Sequence, residues 1–238
     1  MQRLDPKMVL AAYTVGVFPM ADARNAREVY WVEPKRRAVL PLDGFLCSRS
    51  LRKTIAAGRF RVTADTAFAD IVRLCAESVP DRPDTWINGG IERVFGELHA
   101  LGHAHSVECW NAEGRLVGGL YGLALGRAFF GESMVSRAAD ASKVALAWLV
   151  ARLRVGGFTL LDCQFQTAHL ASLGAVEIDR DAYVALLDDA LSGAAGSGAG
   201  AGSAADFGAL DRGWTSPNGT VSGPPAGKDI AQLFVHTS

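Results

Sequence analysis

The chain carries four cysteines in 238 residues, and none stands in a C-x-x-C pair. That absence argues against a zinc ribbon or a dithiol redox motif and leaves Cys47, Cys75, Cys109 and Cys163 as buried, reduced thiols. Net charge is scarce too. At -1 it announces no global field for a nucleic-acid partner, so any basic surface must be local. No uncharged apolar run is long enough to span a bilayer, and the first residues lack the apolar centre of a signal peptide. A cytoplasmic protein with no membrane partner is the expectation. His103 and His105 flank Ala104 with no third ligand nearby, so both read as structural and no metal is expected.

What is present is half apolar and 21% charged, enough for a packed core. Pro6, behind an Asp5 cap, opens a short helix that breaks at Gly16. Strands are expected over residues 29–32 and 38–42, a basic helix over 50–57, and an alternating strand over 59–63. Phe68, Ile71, Val72 and Cys75 fall at helical spacing, which predicts a helix over 66–78. A loop at 80–84 leads to a second helix over 90–101. Three strands in hairpin order follow, over 104–110, 116–125 and 127–132. The pattern then alternates: helix 140–155, strand 159–164, short helix 167–173, strand 175–178 and helix 181–191. From residue 192 glycine, alanine and serine dominate, a composition that cannot offset its ordering entropy, so a disordered tail is expected. Trp214 and residues 230–235 are left without a place. The division expected is a small basic N-terminal α/β domain (1–58), a catalytic domain (59–191) and the tail (192–238).

Two apolar runs organise the rest. One ends in Gly131-Glu132-Ser133-Met134 and the other in Leu161-Asp162-Cys163-Gln164. The helical stretch between them has the length of a crossover between parallel strands. As sheet neighbours, the runs would gather Glu132, Asp162 and Gln164 at adjacent strand ends, where α/β sheets bind ligands. Lys35, Arg36, Arg37, Arg49, Arg52, Lys53, Arg59 and Arg61 crowd one region, either as a solvated surface or for an anionic partner. Trp31 beside that turn, and Trp86, are each either core packing or a stacking platform.

The element order from residue 59 resembles the acyltransferase fold of the GNAT superfamily, an α+β arrangement with a mixed, mostly antiparallel sheet flanked by helices. The connection over residues 133–140 holds no glycine, so backbone amides approach a pyrophosphate poorly and a CoA donor is disfavoured. A longer series of motifs follows in order: Gly16-Val17-Phe18-Pro19, Ser48-Arg49-Ser50-Leu51, Thr85-Trp86-Ile87, Gly102-His103-Ala104-His105-Ser106, Gly118-Gly119-Leu120-Tyr121-Gly122, the two strand ends above, and Ala171-Ser172-Leu173-Gly174-Ala175. This series resembles leucyl/phenylalanyl-tRNA–protein transferases across nearly all of residues 8–190.

The resemblance implies an aminoacyltransferase that moves Leu or Phe, and Met less well, from aminoacyl-tRNA to the N-terminal Arg or Lys of proteins, marking them for proteolysis. It implies no cofactor, and a monomer is expected. By similarity, Gln164 contacts the attacking amine, Asp162 polarises that amide, and Glu132 hydrogen-bonds the amino acid or the amine. Leu120, Phe129, Met134 and Leu161 match the family's side-chain pocket, and Trp31 and Trp86 match the positions that stack the terminal adenosine. Lys35, Arg36, Arg37, Arg49, Arg52 and Lys53 would meet tRNA phosphates. The sequence departs from the pattern where it begins late, where Met20 replaces a usual tryptophan, and where Phe95 replaces a tyrosine. A transferase acting on cell-wall precursors and a silent tRNA- or degron-binding module stay open as alternatives.

Overall fold

A computed structural model describes residues 4–77, 85–192, 205–212 and 224–235 of the chain. The loop expected at 80–84, Trp214 and the 216–219 stretch lie outside the described residues. In order the elements are α1 (Pro6–Thr14), β1 (Phe18–Met20), β2 (Tyr30–Val32), β3 (Arg36–Val39), α2 (Arg49–Ala56), β4 (Arg61–Ala64), α3 (Phe68–Ala76), α4 (Gly89–Ala100), β5 (Ala104–Trp110), β6 (Leu116–Leu125) and β7 (Ala128–Ser136). They continue with α5 (Ala141–Val155), β8 (Leu160–Gln164), α6 (Ala168–Ala171), β9 (Val176–Asp179), α7 (Arg180–Ser192), α8 (Ala209–Arg212) and α9 (Gly227–Gln232).

Seven strands form one sheet in the order β4-β5-β6-β7-β8-β3-β9, while β1 and β2 pair as a separate antiparallel ribbon. Every contact in the large sheet is antiparallel except β7 with β8, which run parallel with Phe130 beside Asp162. The 15-residue α5 is the crossover between them. Its burial is wider than the single stripe its pattern suggests: Arg152 is covered as well as Val144, Trp148 and Ala151.

Helix starts follow local chemistry. Asp5, Ser48, Asn88 and Thr167 each cap a helix by accepting a backbone N–H, worth about 1 kcal/mol apiece. The two sheet faces then carry separate cores. One gathers Leu120, Phe129 and Leu161 under α5; the other gathers Phe95, Tyr121 and Phe130 under the helices α1, α3, α4 and α7. Among the described residues no helix is long and apolar enough to cross a membrane.

Two expectations about organisation need correcting. A boundary at residue 58 would cut the main sheet, because β3 sits between β8 and β9 and pairs with both. Val9, Tyr13 and Phe18 also share a core with Phe95 and Phe130, so the N-terminal segment has no core of its own. The tail is the second correction. Phe207, Leu210, Ile230, Ala231 and Phe234 are buried against the α5 face, so two pieces of it are docked. Arg152 holds the first piece by two bonds to Asp211 and one to the Phe207 carbonyl. The second piece packs Phe234 edge-on against Phe45.

Candidate active site

The parallel pairing of β7 and β8 places Glu132, Asp162 and Gln164 together, as the strand-end pattern suggests. The register from Gly131 with Gly122 to Ser133 with Tyr121 leaves Glu132 as the extra residue of a bulge. Such a bulge re-aims one side chain without ending the strand. At the next strand end Gln164 takes φ 56°, a left-handed conformation that a non-glycine residue adopts at a cost of about 1–3 kcal/mol. The Asp162 carboxylate stabilises this turn by accepting the Gln164 backbone N–H at 2.8 Å.

Asp162 is fully buried and its charge is already matched. Arg37, 2% exposed, donates Nε and Nη2 to its two oxygens at 2.6–3.0 Å, and the Tyr183 hydroxyl adds a bond at 2.8 Å. Arg37 also donates to the Gly16 carbonyl and lies over the rings of Phe18 and Tyr183. Arg37 is therefore no phosphate contact: the start of β3 turns it inward, and its donors go to the site. Arg36 points outward but pairs with Glu177. Lys35 is exposed at one end of β3, whereas Arg49, Arg52 and Lys53 follow its other end on α2. The four-residue strand between them divides the basic cluster of the sequence into two groups along the chain.

The relay expected from Asp162 to the Gln164 amide is not what the geometry contains. Asp162 reaches the Gln164 main chain, while the Gln164 side-chain Nε2 donates to Glu132 Oε1 at 3.3 Å. The same Glu132 oxygen accepts the Tyr13 hydroxyl at 2.8 Å. Burial, with some help from the Asp162 charge, raises the Glu132 carboxyl to about 8, against the lowering effects of Tyr13 and Arg37. Burial likewise pushes the Tyr13 hydroxyl well up, so it stays a proton donor.

Tyr13 and Tyr183 are the site residues that sequence reasoning missed. The helical spacing of Val9 and Tyr13 signals burial, but a hydroxyl partner 119 residues away leaves no trace in a local pattern. Arg37 was visible as a residue but misread as surface. Its place in a strand whose next two residues are apolar is the signal that could have turned it inward.

A mostly apolar cavity of about 280 Å³ opens beside this network. Leu120, Met134 and Leu161 line it, joined by Leu146, Leu149 and Leu170. Glu132, Ser133 and Gln164 supply polar groups on its wall, and Phe18, Met20 and Trp86 lie at its N-terminal side. Phe129 does not line it. That ring is fully buried one layer deeper, stacked on Phe207 at 5.6 Å. Trp31 does not join Trp86 either. In the β1–β2 ribbon Trp31 lies opposite Pro19, on the face away from Phe18 and Met20, and it lines a second cavity with Arg24, Arg27 and Arg93.

Cys47, Cys75 and Cys109 are buried thiols outside any disulfide, and Cys163 is a partly covered thiol on the cavity wall. Burial raises Cys47 to about 11 and Cys109 to about 12, and raises Cys163 further. Burial thus favours the protonated thiol in these three, which makes them poor nucleophiles near neutral pH. His105 pairs with Asp65 at 2.8 Å and stacks on Phe207, a structural use of that imidazole. Among the described residues no group of three or more His, Cys, Asp or Glu is arranged to hold a metal ion.

A family model described as leucyl/phenylalanyl-tRNA protein transferase matches residues 39–188, and one for the N-terminal domain of the same proteins matches residues 2–35. The leucyl/phenylalanyl-tRNA–protein transferase of Rhizorhabdus wittichii is 61% identical, covering 100% of both chains. That of Novosphingobium aromaticivorans is 49% identical over 99% of this chain and 97% of its own. Among solved structures, FemX aligns with a TM-score of 0.46 and 11% identity, over 71% of this chain and 65% of that one. With a family model covering more than half of its length and a relative matched end to end, the chain belongs to the leucyl/phenylalanyl-tRNA–protein transferase family.

Proposed function

We propose that this chain transfers leucine or phenylalanine from aminoacyl-tRNA to the N-terminal Arg or Lys of proteins. The observation that carries the reading is the cavity in which an apolar chamber of Leu120, Met134, Leu146, Leu149 and Leu161 adjoins Glu132 and Gln164. The chamber suits a side chain with no polar demands, and the polar wall suits a reacting ester and amine.

Aminoacyl transfer forms a bond from the acceptor's α-amine to the ester carbon and breaks the bond from that carbon to the ribose oxygen. The amine loses a proton, and the leaving ribose hydroxyl gains one. Glu132 is the group to take the amine's proton. Burial raises its carboxyl to about 8, which makes it basic enough to accept a proton near neutral pH, where a base with a pKa near the operating pH works best. Gln164 spends one amide N–H on Glu132 and has a second for the tetrahedral oxygen. Asp162, neutralised by Arg37, does no proton transfer: it holds the left-handed Gln164 turn and, through Tyr183, fixes α7 against the site. Trp86, with Phe18 and Met20 on the cavity wall, offers the terminal adenosine a largely apolar surface. Much of the rate comes from holding both substrates in register. The product, bearing a new N-terminal Leu or Phe, would enter the proteolytic route for such N-termini.

The test is labelled leucyl-tRNA with peptides beginning Arg, Lys or Ala, using the native chain, Glu132→Gln and Asp162→Asn. Transfer to the Arg and Lys peptides only, reduced at least a hundredfold in Glu132→Gln, is expected. A native chain that binds charged tRNA but transfers nothing would refute the enzyme reading. Undiminished transfer by Glu132→Gln would leave the function and remove the base.

A further inference from the structure

We infer that the C-terminal segment over residues 205–212 backs the amino-acid chamber from behind its lining, and that Phe207 sets the size of side chain it admits. The inference rests on the reading that the cavity beside Glu132 takes the donor's side chain.

The geometry runs in layers from the cavity outward. Gly131 and Leu161 line the cavity, and Phe129 is two residues before Gly131 on the same face of β7. Phe129 also sits beside Leu161 in the β7–β8 register. Its ring is therefore the layer behind the lining. It is pressed against Gly122, where a Cβ would come within 2.4 Å of the ring, and Phe158 meets it edge-on at 6.3 Å. The layer behind Phe129 is Phe207, parallel to within 12°. On another side Phe207 stacks on His105 at 4.2 Å, and the Arg152 guanidinium lies 5.2 Å from its ring centre.

Phe207 is held by groups outside the catalytic network. Arg152 binds Asp211 with two hydrogen bonds and the Phe207 carbonyl with a third. The Asp206 N–H bonds the Gly156 carbonyl at 2.9 Å, and a Cβ on Gly156 would come within 2.3 Å of the Asp206 oxygen. The segment is thus seated at both ends against α5, whose Leu146 and Leu149 line the cavity. Cores transmit volume changes because they are packed near crystal density. Removing the Phe207 ring gives Phe129 room to retreat, and the chamber deepens toward the tail.

The experiment compares kcat/KM for leucyl-, phenylalanyl- and tryptophanyl-tRNA with one Arg peptide, in the native chain, Phe207→Ala and Phe207→Leu. Thermal melting checks folding. In Phe207→Ala the ratio of tryptophan to leucine transfer is expected to rise about tenfold, with phenylalanine between, since a methylene-sized change in an apolar pocket carries discrimination of that order. Phe207→Leu, the smaller perturbation, should move the ratio about threefold and serves if the alanine variant does not fold. A purely structural role would lower the amount of active protein and scale all three donors together. An unchanged ratio in the folded variants overturns the inference and leaves the transferase reading intact. A native chain inactive with every donor takes down both.

Discussion

Among the described residues, Arg37 and Asp162 form the one ion pair whose two side chains are both almost wholly buried. Breaking such a pair from one side strands a charge without water, which costs about 3–5 kcal/mol. Arg37→Met is therefore expected to lose that much by denaturant unfolding, and to lose transfer with it. Replacing both, with Arg37→Met and Asp162→Leu together, should recover much of the stability and none of the activity. A single Arg37→Met within 1 kcal/mol of the native chain would contradict the charge-matching account. Glu132 makes a second prediction at this scale. Its folded pKa of about 8 lies above the ordinary carboxyl value, so the folded chain binds the proton more tightly than the unfolded chain. The stabilisation from that proton is full below the ordinary carboxyl pKa and is lost as pH rises through about 8. The base form, conversely, appears as pH rises, and the acceptor α-ammonium loses its proton in the same range, so single-turnover transfer should climb through about pH 8 more steeply in the native chain than in Glu132→Gln. A pH profile identical in the two proteins would remove Glu132 from the proton path.

At the scale of elements, what the sequence made legible was what depends on local period and local turns. The strands Ala104–Trp110 and Leu116–Leu125 begin and end at the expected residues because hydrophobic runs and the Asn111–Gly114 turn bracket them. The parallel neighbourhood of β7 and β8 was readable because a helix of crossover length separates the runs. Phe129's depth was not readable, since facing the cavity and backing it share one strand parity. The tail was misjudged for a related reason. Its average composition cannot build a core, but Phe207, Leu210, Ile230 and Phe234 need only fit a core made elsewhere. Gly156 tests that docking. With φ −77° it has no backbone need to be glycine, yet a Cβ there meets the Asp206 oxygen at 2.3 Å. Gly156→Ala should then cost about 1–3 kcal/mol by overpacking, read as a lower unfolding midpoint. An alanine that instead stabilises the chain would mean the 205–212 segment is not seated there in solution.

For the whole molecule, a net charge of -1 removes long-range attraction to tRNA and leaves it to local groups. The structure sorts the candidates. Arg37 is spent on Asp162 and Arg36 on Glu177, while Arg49, Arg52 and Lys53 lie three and four residues apart on one face of α2. Those three have no ion pair among the described residues, and α9 packs against the helix that carries them, its Gly227 close to the Ile55 carbonyl. Counterion release makes binding fall with salt in proportion to the phosphates met, by roughly one unit of log–log slope per cation. Removing Arg49, Arg52 or Lys53 singly should therefore lower the slope of tRNA affinity against salt by about one each. Arg36→Gln should leave it nearly unchanged, because that cation is already neutralised by Glu177. Transfer from a small aminoacyl-adenosine, which lacks an acceptor stem, should be indifferent to all four substitutions. A slope that responds to Arg36 but not to the α2 residues would move the tRNA from α2 to the neighbourhood of Lys35 and Arg36.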